Sequence, residues 1–244
     1  MKLTVVLASQ GPPELLAQCL RALEGQPVDQ LLVSEGDRPL PGLRWARINE
    51  FEGDVIAHLE ARAIPTPGWA QAIRAAHASE PAVIGGVLRP APGASAFHLA
   101  QYFSDHAVAP ISDANVSYKR AWVDRNRERL TSGEWETPLH VEAAAHGEQT
   151  VVDAVAVYRY DGRTASQVLS ERFRHGRAYA ARSGKRAQKT VFAPLLPAVL
   201  LARGLRAAAR AGMLAAYLRA LPWTCLLNLA WSIGEAVGGI LGDE

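Results

Sequence analysis

The residues able to do chemistry in this chain gather where short apolar runs end. Ser9 follows Leu3 to Ala8, and Ser34, Glu35, Gly36 and Asp37 close the run that begins at Gln30. Polar groups in such places face a ligand crevice when the runs are strands of a parallel sheet, though spacing alone fits ordinary solvated loop residues equally well. Glu60 and Arg62 stand two apart at the end of Val55 to Leu59. Glu134 and Glu136 flank Trp135, whose apolar wall can raise a carboxylate's proton affinity as a proton acceptor requires; a helix-start carboxylate with no catalytic consequence fits the same residues. Arg174 and Arg177, with Arg182 further along, share one face of a possible helix that also carries Arg172. Such a face clamps phosphate, meets anionic lipid headgroups, or is simply solvated. His175 has no His, Cys or Asp at metal-ligand spacing, so a surface or packing role suits it better.

The elements that must position these groups follow from periodicity. Leu3 to Ala8 reads as a buried strand, Leu15, Leu16, Cys19, Leu20 and Leu23 as one face of a helix opened by Pro12 and Pro13, and Gln30 to Ser34 as a second strand. That order implies a parallel βαβ unit with its ligand crevice at the strands' carboxyl ends. Arg38 to Pro41 reads as a turn-rich connection. Further strands are expected over Val55 to Leu59, Ala82 to Leu88 and Thr150 to Tyr158, with helices around Trp69, Ile73 and Ala76 and over Lys119 to Leu130.

Composition narrows the class. The 244 residues are 49% hydrophobic, enough to bury a full core, and 26 basic against 24 acidic residues leave a formal charge of +2. No polyelectrolyte character points to nucleic acid. Two distant cysteines, Cys19 and Cys225, suggest neither a disulfide framework nor a zinc site, and a reducing cytoplasm fits them. The apolar N-terminal run is broken by Gly11, Pro12 and Pro13 and reads as a strand, not as a signal peptide.

Several stretches, taken in order, resemble the family 2 glycosyltransferases of bacteria. VVLAS with PPELLAQCLRALEGQ is similar to that family's opening strand and helix, and LLVSEGD to its second strand with an acidic nucleotide-binding end. GDVIAHLEARAIPTPGWAQAI is similar to the segment where a strand enters an Asp-x-Asp motif and a Pro-x-Pro-Gly-Trp helix start. AVIGGVL, SDANVSYKRA, SGEWETPLH and SQVLSERFRHGRAYA continue the resemblance through residue 183. It implies a GT-A fold, an α/β nucleotide-binding sandwich with a mixed, mostly parallel sheet. It also implies direct, inverting transfer of a sugar from a nucleoside diphosphate. Ser9, Glu35 and Asp37 then hold the nucleotide with Glu60 and Arg62, Glu136 takes the acceptor's proton with Glu134 as fallback, and Asn115, Arg172, Arg174 and Arg177 meet acceptor or phosphate.

Two departures bear on the diphosphate. The family holds Mg²⁺ or Mn²⁺ on two carboxylates, yet Arg62 lies where the second is expected. Arg62 can supply the charge itself, Glu60 alone can hold a weak ion, or the site has decayed. The family also places a helix with an Arg-Asn pair before the metal-motif strand, and Arg38 to Gly53 is short for it; Arg44, Arg47 and Asn49 are its nearest equivalents.

Past residue 190 the chain turns Leu- and Ala-rich, so a domain over 1–190 and a helical segment over 191–244 are expected. Leu195 to Leu221 reads as a basic amphipathic helix with Arg203, Arg206 and Arg210 on one face. Pro222 is expected to end it. Trp223 to Leu241 is mostly apolar, but Asn228 and Glu235 argue for interfacial or re-entrant packing on the inner face of the membrane over a clean span. Completion of the soluble core or a homodimer seam fits the same helices. The expected partners are a nucleotide sugar, a lipid-linked or glycan acceptor of cell envelope polysaccharide, and the membrane surface. A catalytically silent nucleotide-sugar-binding or scaffold protein is the alternative; an NAD oxidoreductase is disfavoured because no Gly-x-Gly-x-x-Gly follows the first strand.

Overall fold

The computed structural model describes residues 1–10, 12–79, 81–105, 111–132, 136–181 and 190–242. Chain contacts divide these into two compact units, Met1–Ala91 with Ala109–Gly162, and Pro92–Val108 with Arg163–Glu244. The sequence placed the division at 190. It falls earlier because α8 belongs with the C-terminal helices, as its packing below makes clear.

In the first unit, β1 (Leu3–Ser9) is buried at every position, as a central strand covered on both faces must be. The helix α1 (Pro13–Leu23) buries Leu16, Cys19 and Leu23 at helical spacing. Then come β2 (Gln30–Glu35), α2 (Leu40–Trp45), β3 (Val55–Glu60), β4 (Ala63–Pro65), α3 (Trp69–His77) and β5 (Val83–Pro90). After α4 (Ala96–Asp105), part of the second unit, the first resumes with β6 (Asn115–Lys119), α5 (Arg120–Arg125), α6 (Arg127–Leu130), α7 (Thr137–Ala145) and β7 (Gln149–Arg159).

The strands make one sheet in the order β2-β1-β3-β6-β5-β7-β4. β1 pairs in parallel with β2 and β3, and β5 with β7; the β3–β6, β5–β6 and β4–β7 pairings are antiparallel. The expected α/β sandwich on a mixed sheet is therefore present. One core cluster brings Val6, Trp45, Ile56, Tyr118, Trp122 and Leu139 together. Gly86 sits where the β5–β7 register shifts, and a Cβ there would fall 2.1 Å from the Asn115 side chain, so only glycine fits.

Three local expectations need correction. The turn-rich connection expected over Arg38 to Pro41 already enters α2 at Leu40, and a 3-10 turn follows at Ile48–Glu50. The single helix expected over Lys119 to Leu130 is two, broken at Asn126, which leaves helical geometry while its side-chain amide donates to the Trp122 carbonyl at 2.9 Å. Pro222 does not end a helix; it lies inside one, where Thr224 Oγ1 donates to the Ala220 carbonyl.

In the second unit α4 joins α8 (Ala165–Ala181), α9 (Leu196–Arg210) and α10 (Leu214–Leu241). The break between α9 and α10 falls at Gly212, whose φ of 68° is one that other residues rarely adopt. Leu99, Phe103, Val168, Ala208, Tyr217 and Leu227 form its core. Helices α8 and α10 approach backbone to backbone. A Cβ on Gly234 would lie 2.1 Å from the Phe173 carbonyl, one on Gly238 2.1 Å from that of Arg177, and one on Gly176 2.3 Å from that of Trp231. Asn228 and Glu235 face this interior, and the Trp231 indole donates to Glu235 at 3.1 Å. Leu218, Leu226, Leu229, Ile233 and Ile240 are exposed along α10. Residues 190–210 and 214–241 are long and apolar enough to cross a membrane by length and composition.

Candidate active site

The carboxyl ends of β1 and β2 meet in register, Ser9 opposite Glu35. There Ser9, Gln10, Glu35, Gly36 and Asp37 line an open cavity of about 400 Å³, within the range that ligand sites occupy. Gly36, with φ at 144°, makes the bend that carries the chain from Glu35 to Asp37 along this wall. Of the expected nucleotide residues, Ser9, Glu35 and Asp37 are thus brought together.

Glu60 ends β3 one strand over, paired with Ala8. It is buried, and two guanidinium groups converge on its Oε2: Arg159 Nη1 at 3.1 Å and Arg62 Nη2 at 3.4 Å. Arg62 Nη1 also lies 3.7 Å from Asp161 Oδ2. The pairing of β4 with β7, Ala63 opposite Arg159, delivers a residue from almost a hundred positions away. Burial acts to raise the Glu60 carboxyl, but Arg159, Arg62 and Arg44 outweigh it and hold it below the usual carboxylate range.

Glu136 does not line the cavity. It is 2% exposed just ahead of α7, with the Trp45 indole donating to Oε1 at 2.7 Å and Arg44 Nε at 3.1 Å from the same oxygen. Its Oε2 has no hydrogen-bond partner among the described residues. Burial raises its proton affinity, Arg44 offsets part of the rise, and Asp113 adds to it. Arg44 is itself fully buried and donates from Nη1 to the Asp113 carbonyl at 3.1 Å. Asp113 Oδ1 lies 3.4 Å from His140 Nδ1, and His140 Nε2 shares a hydrogen bond of 2.8 Å with the Tyr118 hydroxyl. Burial pushes Asp113 up, and pushes His140 down to about 4. Of Glu35, Glu60 and Glu136, only Glu35 lines the Ser9 cavity; Arg44 acts electrostatically on the other two.

Asn115 is corrected outright. Its side chain is fully buried, donates to the carbonyls of Val155 at 2.9 Å and Val87 at 3.3 Å, and accepts from the Trp69 indole at 2.9 Å. It ties β6 to β5, β7 and α3, and its buried amide is taken up by these bonds. Arg172, Arg174 and Arg177 lie on α8 of the second unit, where Arg177 donates to the Gly242 carbonyl. None lines the cavity at Ser9. Glu134, Trp135 and Arg182 lie outside the described residues. Sequence reasoning missed Arg159, Asp161, Asp113, His140 and Tyr118; the charged pair Arg159 and Asp161 closing a strand was the available signal.

A metal fits this arrangement poorly. A hard divalent ion needs several oxygen ligands at 2.0–2.6 Å, whereas the Glu60 carboxylate already faces two cations, and among the described residues no cluster of three or more His, Cys, Asp or Glu can hold an ion.

The fold is GT-A-like, as its similarity to solved structures shows. A mannosyltransferase from Pyrobaculum calidifontis, solved with GDP-mannose and Mn²⁺, superposes with a TM-score of 0.56 at 15% identity, covering 98% of this chain and 87% of that one. Glucosyl-3-phosphoglycerate synthase from Mycobacterium tuberculosis, solved with Mn²⁺, UDP and phosphoglyceric acid, gives 0.49 at 13% identity, covering 69% of this chain and 74% of that one. No protein-family model matches the chain, and no curated protein matches it by sequence.

Proposed function

We propose that the chain is an inverting glycosyltransferase that moves a sugar from a nucleoside diphosphate to a hydroxyl of a lipid-linked or other glycan acceptor. The observation that carries this reading is the cavity at the carboxyl ends of β1 and β2, in a fold of this class. Ser9, Glu35 and Asp37 offer the hydrogen-bonding groups that a base and ribose require. In the reaction the acceptor oxygen bonds to the anomeric carbon as the bond to the diphosphate oxygen breaks. Glu136 is the carboxylate this reading assigns to the acceptor's proton, on its raised proton affinity and its Oε2 without a partner among the described residues; it is enclosed away from the Ser9 cavity, so the reading requires it to be uncovered when the acceptor binds.

The second unit provides membrane contact in this reading. The exposed apolar strip of α10 suits the acyl boundary, and the exposed Arg203, Arg206 and Arg210 of α9 suit anionic headgroups of the cytoplasmic leaflet. The protein is then peripheral and cytoplasmic.

The test is release of UDP or GDP from a panel of nucleotide sugars presented with lipid-linked acceptors. Glu136→Gln is expected to lower turnover about 10²- to 10⁴-fold while nucleotide binding persists. The arginines around Glu60 favour one other reading, a silent nucleotide-sugar binder, which requires binding without turnover for every acceptor.

A further inference from the structure

We infer that Arg62 and Arg159 take the place of a divalent cation, so that this chain grips its donor's diphosphate without metal. The inference rests on the nucleotide-sugar reading above and concerns how that site meets phosphate charge. A cation seated on Glu60 would stand against the guanidinium groups that approach Oε2 at 3.1 and 3.4 Å, and like charge would expel it. Those same groups are well placed for the cation's task. They stand beside the strand end that borders the Ser9 cavity, because Glu60 pairs with Ala8 and Ser9 with Glu35 on adjacent strands.

The carboxylates act as braces. Glu60 holds one amino group of each arginine and Asp161 faces the other amino group of Arg62, which fixes both planar forks before any ligand arrives. The side chains remain partly open to solvent, 22% for Arg62 and 13% for Arg159, so phosphate oxygens can reach them. Arginine forks bind phosphate bidentately, which supplies direction as well as charge.

Calorimetric titration of the full chain with UDP and with GDP tests this, first in EDTA and then in Mn²⁺ or Mg²⁺. The expected result is binding in EDTA that the metals change by no more than about two-fold. Arg62→Gln and Arg159→Gln are each expected to weaken nucleoside diphosphate binding by about ten-fold, the loss of a charge-assisted contact. The same changes should leave uridine or guanosine affinity unaltered. Circular dichroism confirms that each variant is folded. Binding that appears only with metal, or that both arginine variants leave unchanged, overturns the inference and leaves the nucleotide reading standing. Absence of UDP and GDP binding under every condition overturns both.

Discussion

Replacing Arg44 by Met probes the buried ionic link beneath the candidate site. Arg44 is fully enclosed, and its removal leaves the Glu136 carboxylate, 2% exposed, with the Trp45 indole on Oε1 as its side-chain partner among the described residues. Truncating one partner of a buried pair costs about 3–5 kcal/mol, because the other charge stays buried without compensation. That is a large part of the 5–15 kcal/mol that typically separates folded from unfolded chains. The deficit should depend on pH. Burial already raises the Glu136 carboxyl above its ordinary value, and without Arg44 it rises further. A raised carboxyl contributes stability below its unfolded value and loses it as pH rises through the folded one, so Arg44→Met should be weaker at pH 8 than at pH 5 relative to wild type. Adding Glu136→Gln should restore about 2 kcal/mol at pH 8. Urea unfolding of the four proteins measures this coupling. Single losses that add within about 0.5 kcal/mol at both pH values refute the reasoning.

Other perturbations test separate parts of the account. Gly234→Ala forces a Cβ against the Phe173 carbonyl and should lower stability by about 1–3 kcal/mol, whereas Gly25→Ala meets no atom within 4 Å and costs only left-handed backbone strain; equal melting points for the two variants contradict the close α8–α10 packing. His77, pushed down to about 4 chiefly by burial, is neutral in the fold, so its contribution is present above the ordinary value of 6.5 and is lost as pH falls toward 4. The loss amounts to about 3 kcal/mol, and a His77→Gln variant with the same stability decline between pH 7 and pH 4.5 as wild type argues against it. Leu226→Glu with Ile233→Glu places charge on the exposed strip of α10 and should abolish sedimentation with anionic vesicles; undiminished sedimentation removes the membrane reading.

Much of the sheet was legible because its strands are short apolar runs with polar ends. Leu3 to Ser9 and Val55 to Glu60 are buried throughout, so their sequences show continuous hydrophobicity, and the residues that punctuate them, Ser9 and Glu60, lie at the sheet's working edge. The Ser9, Glu35 and Asp37 cavity followed from parallel pairing alone. What escaped were groups whose role depends on long-range pairing. Arg159 reaches Glu60 only because β4 and β7 pair, and the one local signal, Arg159 and Asp161 closing a strand, does not say which carboxylate it meets. Arg44 was legible only as an equivalent of the family's Arg-Asn pair, and its burial was not, since a guanidinium is rarely enclosed unless a carboxylate comes to meet it, and Glu136 lies 92 positions away. Asn115 misled for the opposite reason: a polar residue beside a glycosyltransferase-like stretch suggested a ligand, while its amide is consumed by the carbonyls of Val87 and Val155. Pro222 misled because a missing N–H is tolerated within a long packed helix.

A crystal structure of the chain grown with UDP or GDP examines the donor site most directly. Nucleoside density against Ser9, Glu35 and Asp37, with phosphates touching Arg62 and Arg159, is the expected result. Nucleotide bound elsewhere on the protein, with this strand edge empty, contradicts the account.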